Sequence, residues 1–359
     1  MLNQTRNSKI RIVNWLLTRK CNLKCDYCAI VRNYKGKPEQ YPDMSHYAHS
    51  QMDSQYVMRV LSILKIHNPD MFHIFYGGEP LLSFGLSNII NYCNKENIQY
   101  TIISNNTPEI QHLITDLFNK TDYIQGFTSS VDPIFNSSEI DSVKTDRIAK
   151  SIEGLRRLKE IQSQGKVKDV VAEITVMKHN ISYLYILVKI LSEEGINSDV
   201  TFIDIAKSPF YDFSNIYDEN LLVSQEEAKE QMDLLLKSSL DIHMKDILIP
   251  GILKILPSNM DCEIDKNLHN ITIDADGTLR LCLRIRGVNT PKIYAHEVLT
   301  PGNPHLISQT AHELIKADKK EYCKLCNHTC HLMSKYIDEN DAGSEDLIHT
   351  NKRIIQEDK

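Results

Sequence analysis

Between residues 10 and 205, six strand-length apolar segments alternate with longer amphipathic ones, and this rhythm constrains the fold more than any other feature. Strands are predicted over 10–17, 71–76, 100–103, 124–131, 169–176 and 198–205. Helices are predicted from Asp53 or Ser54, and over 86–94, 108–118, 145–162 and 181–194. The first strand is almost continuously apolar and holds the only tryptophan, Trp15, as suits a strand buried on both faces. The first helix carries Val57, Val60, Leu61 and Leu64 on one face. Repeated βα units of this kind form a parallel sheet or barrel covered by helices, an α/β fold.

After residue 206 the rhythm stops. The predicted division is a core over 1–206, a loop and helical linker over 207–260, a cysteine-rich domain over 261–335 and a polar tail over 336–359. The linker carries a helix over 226–240, and the cysteine-rich part has one strand-turn-strand signal over 271–281, centred on Asp276-Gly277. A formal net charge of −6 with no basic stripe gives no support for nucleic-acid binding. No apolar run is long enough to span a membrane, and that at 12–17 is too short for a signal peptide, so a cytoplasmic protein is expected. The nine cysteines are odd in number and clustered, a pattern that favours metal ligation over disulfides in a reducing compartment. Cys93 stands apart and is expected to be a buried structural thiol.

Cys21, Cys25 and Cys28 follow the first strand with the spacing C-x3-C-x2-C. Three thiolates hold three corners of a four-iron cluster and leave one iron open. Zinc would require a fourth ligand, and none lies close by in sequence. In parallel βα folds chemistry gathers at the C-terminal strand ends. There the sequence places Gly77-Gly78-Glu79-Pro80, Ser104 with Asn105, and Ser130 with Asp132. Glu173, Thr175 and Lys178 lie on or after the fifth strand, and Asp204 on the sixth. Each has a plainer explanation. Gly-Gly turns often end strands, Ser, Asn and Asp are common loop residues, and Glu173, Thr175 and Lys178 suit an ordinary solvent-facing alternation. In the C-terminal part, Cys262, Cys282, Cys323, Cys326 and Cys330 suit a second metal centre. A structural zinc ribbon with His328 and His331 as spare ligands is the competing explanation.

The C-x3-C-x2-C spacing, with Gly77-Gly78-Glu79-Pro80 about fifty residues later at the end of the next strand, resembles the radical S-adenosylmethionine (SAM) superfamily. The resemblance implies a partial (β/α)6 barrel of the TIM type. It implies a [4Fe-4S] cluster on Cys21, Cys25 and Cys28 whose open iron chelates SAM. It gives Gly77, Gly78, Glu79 and Pro80 contact with the SAM amino group and Tyr27 contact with the adenine. Ser104, Asn105 and Ser130 fall where the family contacts ribose, carboxylate or substrate. Cys262, Gly277 and Cys282, followed by Cys323, Cys326 and Cys330, resemble the auxiliary-cluster domains called SPASM and twitch. Five cysteines complete only one four-iron cluster, so one auxiliary [4Fe-4S] cluster on Cys262, Cys282, Cys323 and Cys326 is implied, with Cys330 as a substitute for one of the last pair.

The implied activity is reductive cleavage of SAM to a 5′-deoxyadenosyl radical, with electrons from a flavodoxin or ferredoxin, and removal of a substrate hydrogen. An auxiliary cluster favours a net oxidation. The first expectation is oxidative modification of a peptide or protein side chain, with Asp132, Glu173 and Lys178 as acid–base candidates. The second is dehydrogenation of a small molecule such as an aminosugar alcohol. About ten residues precede the first strand, which leaves no room for an N-terminal leader-peptide domain and weighs toward the second. The third is a non-catalytic iron–sulfur or zinc protein that binds a partner.

Overall fold

The computed structural model describes residues 10–23, 25, 28, 51–131, 142–202, 223–240, 242, 270–280 and 294–299. Six strands run parallel in sequence order: β1 (Ile12–Thr18), β2 (Phe72–Gly77), β3 (Gln99–Ser104), β4 (Ile124–Ser130), β5 (Val167–Val176) and β6 (Asn197–Phe202). Five helices connect them: α1 (Ser54–His67), α2 (Leu86–Lys95), α3 (Gln111–Lys120), α4 (Ser142–Ser163) and α5 (Leu184–Glu193). A sixth, α6 (Gln225–Lys237), follows β6. This is the parallel βα architecture expected from the rhythm, in the open, partial TIM-type barrel that the family resemblance implies.

The elements follow from local chemistry. The Asp53 carboxylate accepts hydrogen bonds from the Gln55 and Tyr56 N–H groups (2.9 and 3.1 Å) and so caps α1. Val57, Val60, Leu61 and Leu64 are wholly buried beneath it. Ser224 and Glu227 form a reciprocal capping box at the start of α6. Trp15 is fully buried, and its Nε1–H donates to His73 Nδ1 at 3.0 Å between neighbouring strands. Cys93 is buried in α2 among core side chains, as predicted, and burial pushes its thiol well above the ordinary range.

Among β1 to β6, β1 alone is buried along nearly its whole length on both faces. From β2 to β6 one face is buried, through residues such as Phe75, Ile102, Phe127, Ile174 and Val200. The alternate residues, among them Tyr76, Thr101, Thr128, Glu173 and Thr201, are only half-buried. A sheet curled into a partial barrel produces this asymmetry: its outer face is covered by helices while its inner face stays partly open.

The strand-turn-strand signal is present as β7 (Asn270–Ile273) and β8 (Leu279–Arg280), joined antiparallel. This hairpin extends the core sheet. β7 runs parallel to β1, with Ile12 opposite Asn270 and Trp15 opposite Ile273. The sheet order among the described residues is therefore β6-β5-β4-β3-β2-β1-β7-β8. The Tyr56 hydroxyl donates to the Gly277 carbonyl at 3.2 Å, and the Tyr56 ring meets His296 on the short helix α7 (Ala295–Val298) edge to face. No described helix is long and apolar enough to cross a membrane.

Candidate functional site

The C-terminal ends of β1, β2 and β3 form the site. Backbone contact between β1 and β2 continues past the strands: Gly78 N–H donates to Thr18 O at 2.7 Å and Glu79 N–H to Lys20 O at 2.8 Å. A Cβ on Gly77 would stand 2.3 Å from Thr18 O. One on Gly78 would stand 2.3 Å from Lys20 O and 2.7 Å from Arg19 O. Glycine is therefore required at both positions by close approach of two backbones. The approach fixes the Glu79 turn against Thr18-Arg19-Lys20, the segment that leads into Cys21.

Glu79 is completely buried and caps a single 3-10 turn, Pro80–Leu82, whose first position is the proline. One carboxylate oxygen accepts from Leu81 N–H at 3.1 Å and from the Ser104 hydroxyl at 3.0 Å. The other accepts from Asn105 N–H at 2.9 Å. Burial outweighs these three donors and pushes the Glu79 carboxyl up to about 7. A carboxylate held in this way favours a cation beside it.

Asn105 links that carboxylate to the cysteine loop. Its side-chain amide donates to Asn22 Oδ1 at 2.8 Å and lies 3.9 Å from Cys21 Sγ. Asn22 in turn donates to the Thr107 hydroxyl at 2.9 Å. Behind Ser104, the wholly buried Asn106 donates to Ser129 at 2.9 Å and adopts a positive φ of 48°. The predicted residues Cys21, Gly77, Gly78, Glu79, Pro80, Ser104 and Asn105 thus share one place. Asn22, Asn106 and Thr107 complete it, and their signal in the sequence was adjacency to the chosen residues.

Cys21, Cys25 and Cys28 are half-buried, and Cys28 N–H donates to Cys25 O at 3.2 Å. Burial pushes the Cys21 thiol up to about 11, and the charges of Cys28 and Glu79 add to the rise, while the Leu23 N–H and the Asn105 amide act against it. A bound metal displaces such protons outright. Among the described residues no three His, Cys, Asp or Glu side chains converge on a point suited to a single ion. A cubane places its thiolates on separate iron corners, so three thiols spread along one loop beside a buried carboxylate fit a four-iron cluster.

The remaining candidates divide. Ser130 stands opposite Glu173, and Glu173 opposite Asp199, so the three form one half-buried row on the inner face across β4, β5 and β6. Asp199 was not predicted; period-two alternation along β6 is the signal that points to it. Thr175 shares this face. Lys178 lies beyond β5, is exposed, and acts on Glu227 at the start of α6, so it is not part of the row. Tyr27, Asp132, Asp204, Cys262, Cys282, Cys323, Cys326 and Cys330 lie outside the described residues.

Residues 15–191 match the model of the family described as "Radical SAM superfamily". The radical SAM cyclopropyl synthase TigE of Paramaledivibacter caminithermalis is 25% identical over 163 residues, which are 42% of this chain and 33% of TigE. The match thus spans about a third of that relative's length. Streptococcus suis SuiB bound to S-adenosylmethionine superposes with a TM-score of 0.59 at 16% identity, covering 89% of this chain and 72% of SuiB. The complex of anSMEcpe with AdoMet and the Cp18Cys peptide gives 0.55 at 13% identity, covering 96% and 99%. These structural likenesses establish the shared fold.

Proposed function

We propose that residues 15–191, which match the radical SAM superfamily model, form a radical SAM core in which Cys21, Cys25 and Cys28 hold a [4Fe-4S] cluster that binds SAM. The carrying observation is the buried Glu79 carboxylate, fixed by Ser104 and Asn105 within the same network as Cys21. When bound, the cluster and SAM supply a 5′-deoxyadenosyl radical that abstracts hydrogen from an unactivated C–H bond.

The chain's own residues do the rest. Glu79 receives the SAM ammonium, and Gly77 and Gly78 let the backbone come close. Asn105 holds Cys21 and Glu79 in mutual register. Ser104, Ser130 and Tyr27 complete the cofactor pocket. Position and exclusion of water are the protein's contribution to a step whose hard chemistry belongs to the cofactor. The half-buried row of Ser130, Glu173 and Asp199 supplies polar groups for substrate on the inner face, with Asp132 as a further acid–base group.

The proposed reaction is a net oxidation of a peptide or protein side chain, with electrons supplied by a flavodoxin or ferredoxin. The bound peptide named for anSMEcpe supports this substrate class. Cys262, Cys282, Cys323 and either Cys326 or Cys330 would hold an auxiliary [4Fe-4S] cluster, which would supply an acceptor for the second electron. Anaerobic protein given SAM and dithionite should release 5′-deoxyadenosine and methionine, and Cys21→Ala should abolish both together with the SAM-binding cluster. No 5′-deoxyadenosine from an iron-loaded wild-type protein, with every peptide tried, would remove this proposal. Iron sufficient for one cluster, accompanied by zinc, would replace the auxiliary cluster with a zinc ribbon.

A further inference from the structure

One buried carboxylate joins two arginines in corresponding positions. Asp274, at the end of β7, is wholly buried. Its Oδ1 pairs with the Arg19 guanidinium, whose side chain is also buried, and its Oδ2 accepts from Arg280 Nε at 3.1 Å. The turn adds a third donor, Ala275 N–H, at 2.7 Å from Oδ1. Arg19 comes two residues before Cys21, and Arg280 comes two residues before Cys282.

Arg19 sits at a critical place in the backbone. Thr18 O and Lys20 O, on either side of it, accept from Gly78 and Glu79. The Arg19 carbonyl itself closes the space beside Gly78. Moving the Arg19 side chain therefore moves the surface on which the Glu79 turn rests and the segment that delivers Cys21. The anchor for that side chain comes from the hairpin, about 255 residues away in sequence.

We infer that Asp274 is a positioning residue for the SAM site: by holding Arg19 from the hairpin, it fixes Cys21 and Glu79 relative to each other, and by holding Arg280 it ties that geometry to the segment leading to Cys282. The inference rests on the proposed radical SAM function. Neutralising Asp274 removes the charge that both guanidinium groups share and weakens their anchorage to the hairpin. A group that orients a metal ligand from behind commonly changes affinity tenfold or more when altered.

Asp274→Asn keeps the shape and removes the charge. The expected result is a protein that still unfolds cooperatively, at a lower midpoint than wild type, and binds SAM about tenfold more weakly, with a smaller SAM-induced change in the electron paramagnetic resonance spectrum of the reduced cluster. Loss of iron from a variant that still unfolds cooperatively supports the inference equally, since Cys21 has then moved. If Asp274→Asn does not fold, Arg280→Gln carries the same test, with changes in the same direction at smaller amplitude. A folded, iron-loaded variant with wild-type SAM affinity and spectrum overturns the inference. A wild-type protein whose cluster spectrum is indifferent to SAM instead overturns the function on which it rests.

Discussion

At the scale of the residue, Glu79 shows how burial and ligand chemistry meet. The carboxyl is pushed up to about 7, so near neutrality much of it is protonated in the ligand-free chain. An ammonium partner needs the ionised form. SAM affinity should therefore weaken as pH falls below about 7, approaching tenfold per pH unit, in an equilibrium titration of the reconstituted protein. Glu79→Gln should lose about tenfold or more in affinity, as expected for a hydrogen bond to a charged group, and should show no pH dependence of this origin. Glu79 was legible in the sequence because a glycine pair and a proline bracket it at a strand end. Asp199 was not, because a lone aspartate in a short strand has no such punctuation; only register against Glu173 reveals it. Lys178 stands apart from the row for a related reason. Val176 ends β5, so the alternation that places Glu173 and Thr175 on the inner face no longer governs a residue in the following turn.

At the scale of the element, the site depends on how closely two strand ends approach. Gly78→Ala would force a Cβ against the backbone oxygens of Lys20 and Arg19. Overpacking of this kind costs on the order of 1–3 kcal/mol, and it must be relieved by opening the junction that carries both Cys21 and Glu79. Thermal unfolding should report a lower midpoint, and iron analysis a lower cluster content in the same preparation. The strands and helices themselves were legible from periodicity, with differences at their ends. β5 begins at Val167 rather than 169 because Val167 pairs with Ile124 and the Lys166 carbonyl accepts from Ile124 N–H. Those backbone bonds carry the strand through polar residues that show no apolar pattern. The partner of the 270–280 hairpin was illegible for the same reason: parallel pairing with β1 is made by backbone groups far apart in sequence, and local signals predict a hairpin without saying where it attaches.

At the scale of the molecule, two buried groups bend the pH dependence of stability in opposite directions. Burial lowers His73 from 6.5 to about 3. The unfolded chain therefore takes up a proton first, and this contribution to stability, complete above about 6.5, is lost as pH falls toward 3. Glu79 is raised from 4.5 to about 7, so its contribution is present below about 4.5 and is lost as pH rises through 7. Each slope reaches at most about 1.4 kcal/mol per pH unit, and the two oppose each other between 4.5 and 6.5. Relative to wild type, denaturant unfolding of His73→Gln should show stability declining more steeply with rising pH across that interval, and Glu79→Gln should show it rising. The same architecture sets an order of events during synthesis. β1 is the most apolar strand, yet its second neighbour, β7, is not translated until residue 270. Among the described residues nothing else covers that side of β1 before then, leaving a sheet edge with open hydrogen-bonding groups, the feature that invites mispairing between chains. Nascent or C-terminally truncated protein lacking the hairpin should aggregate through that edge, so β7 and β8 act as its seal.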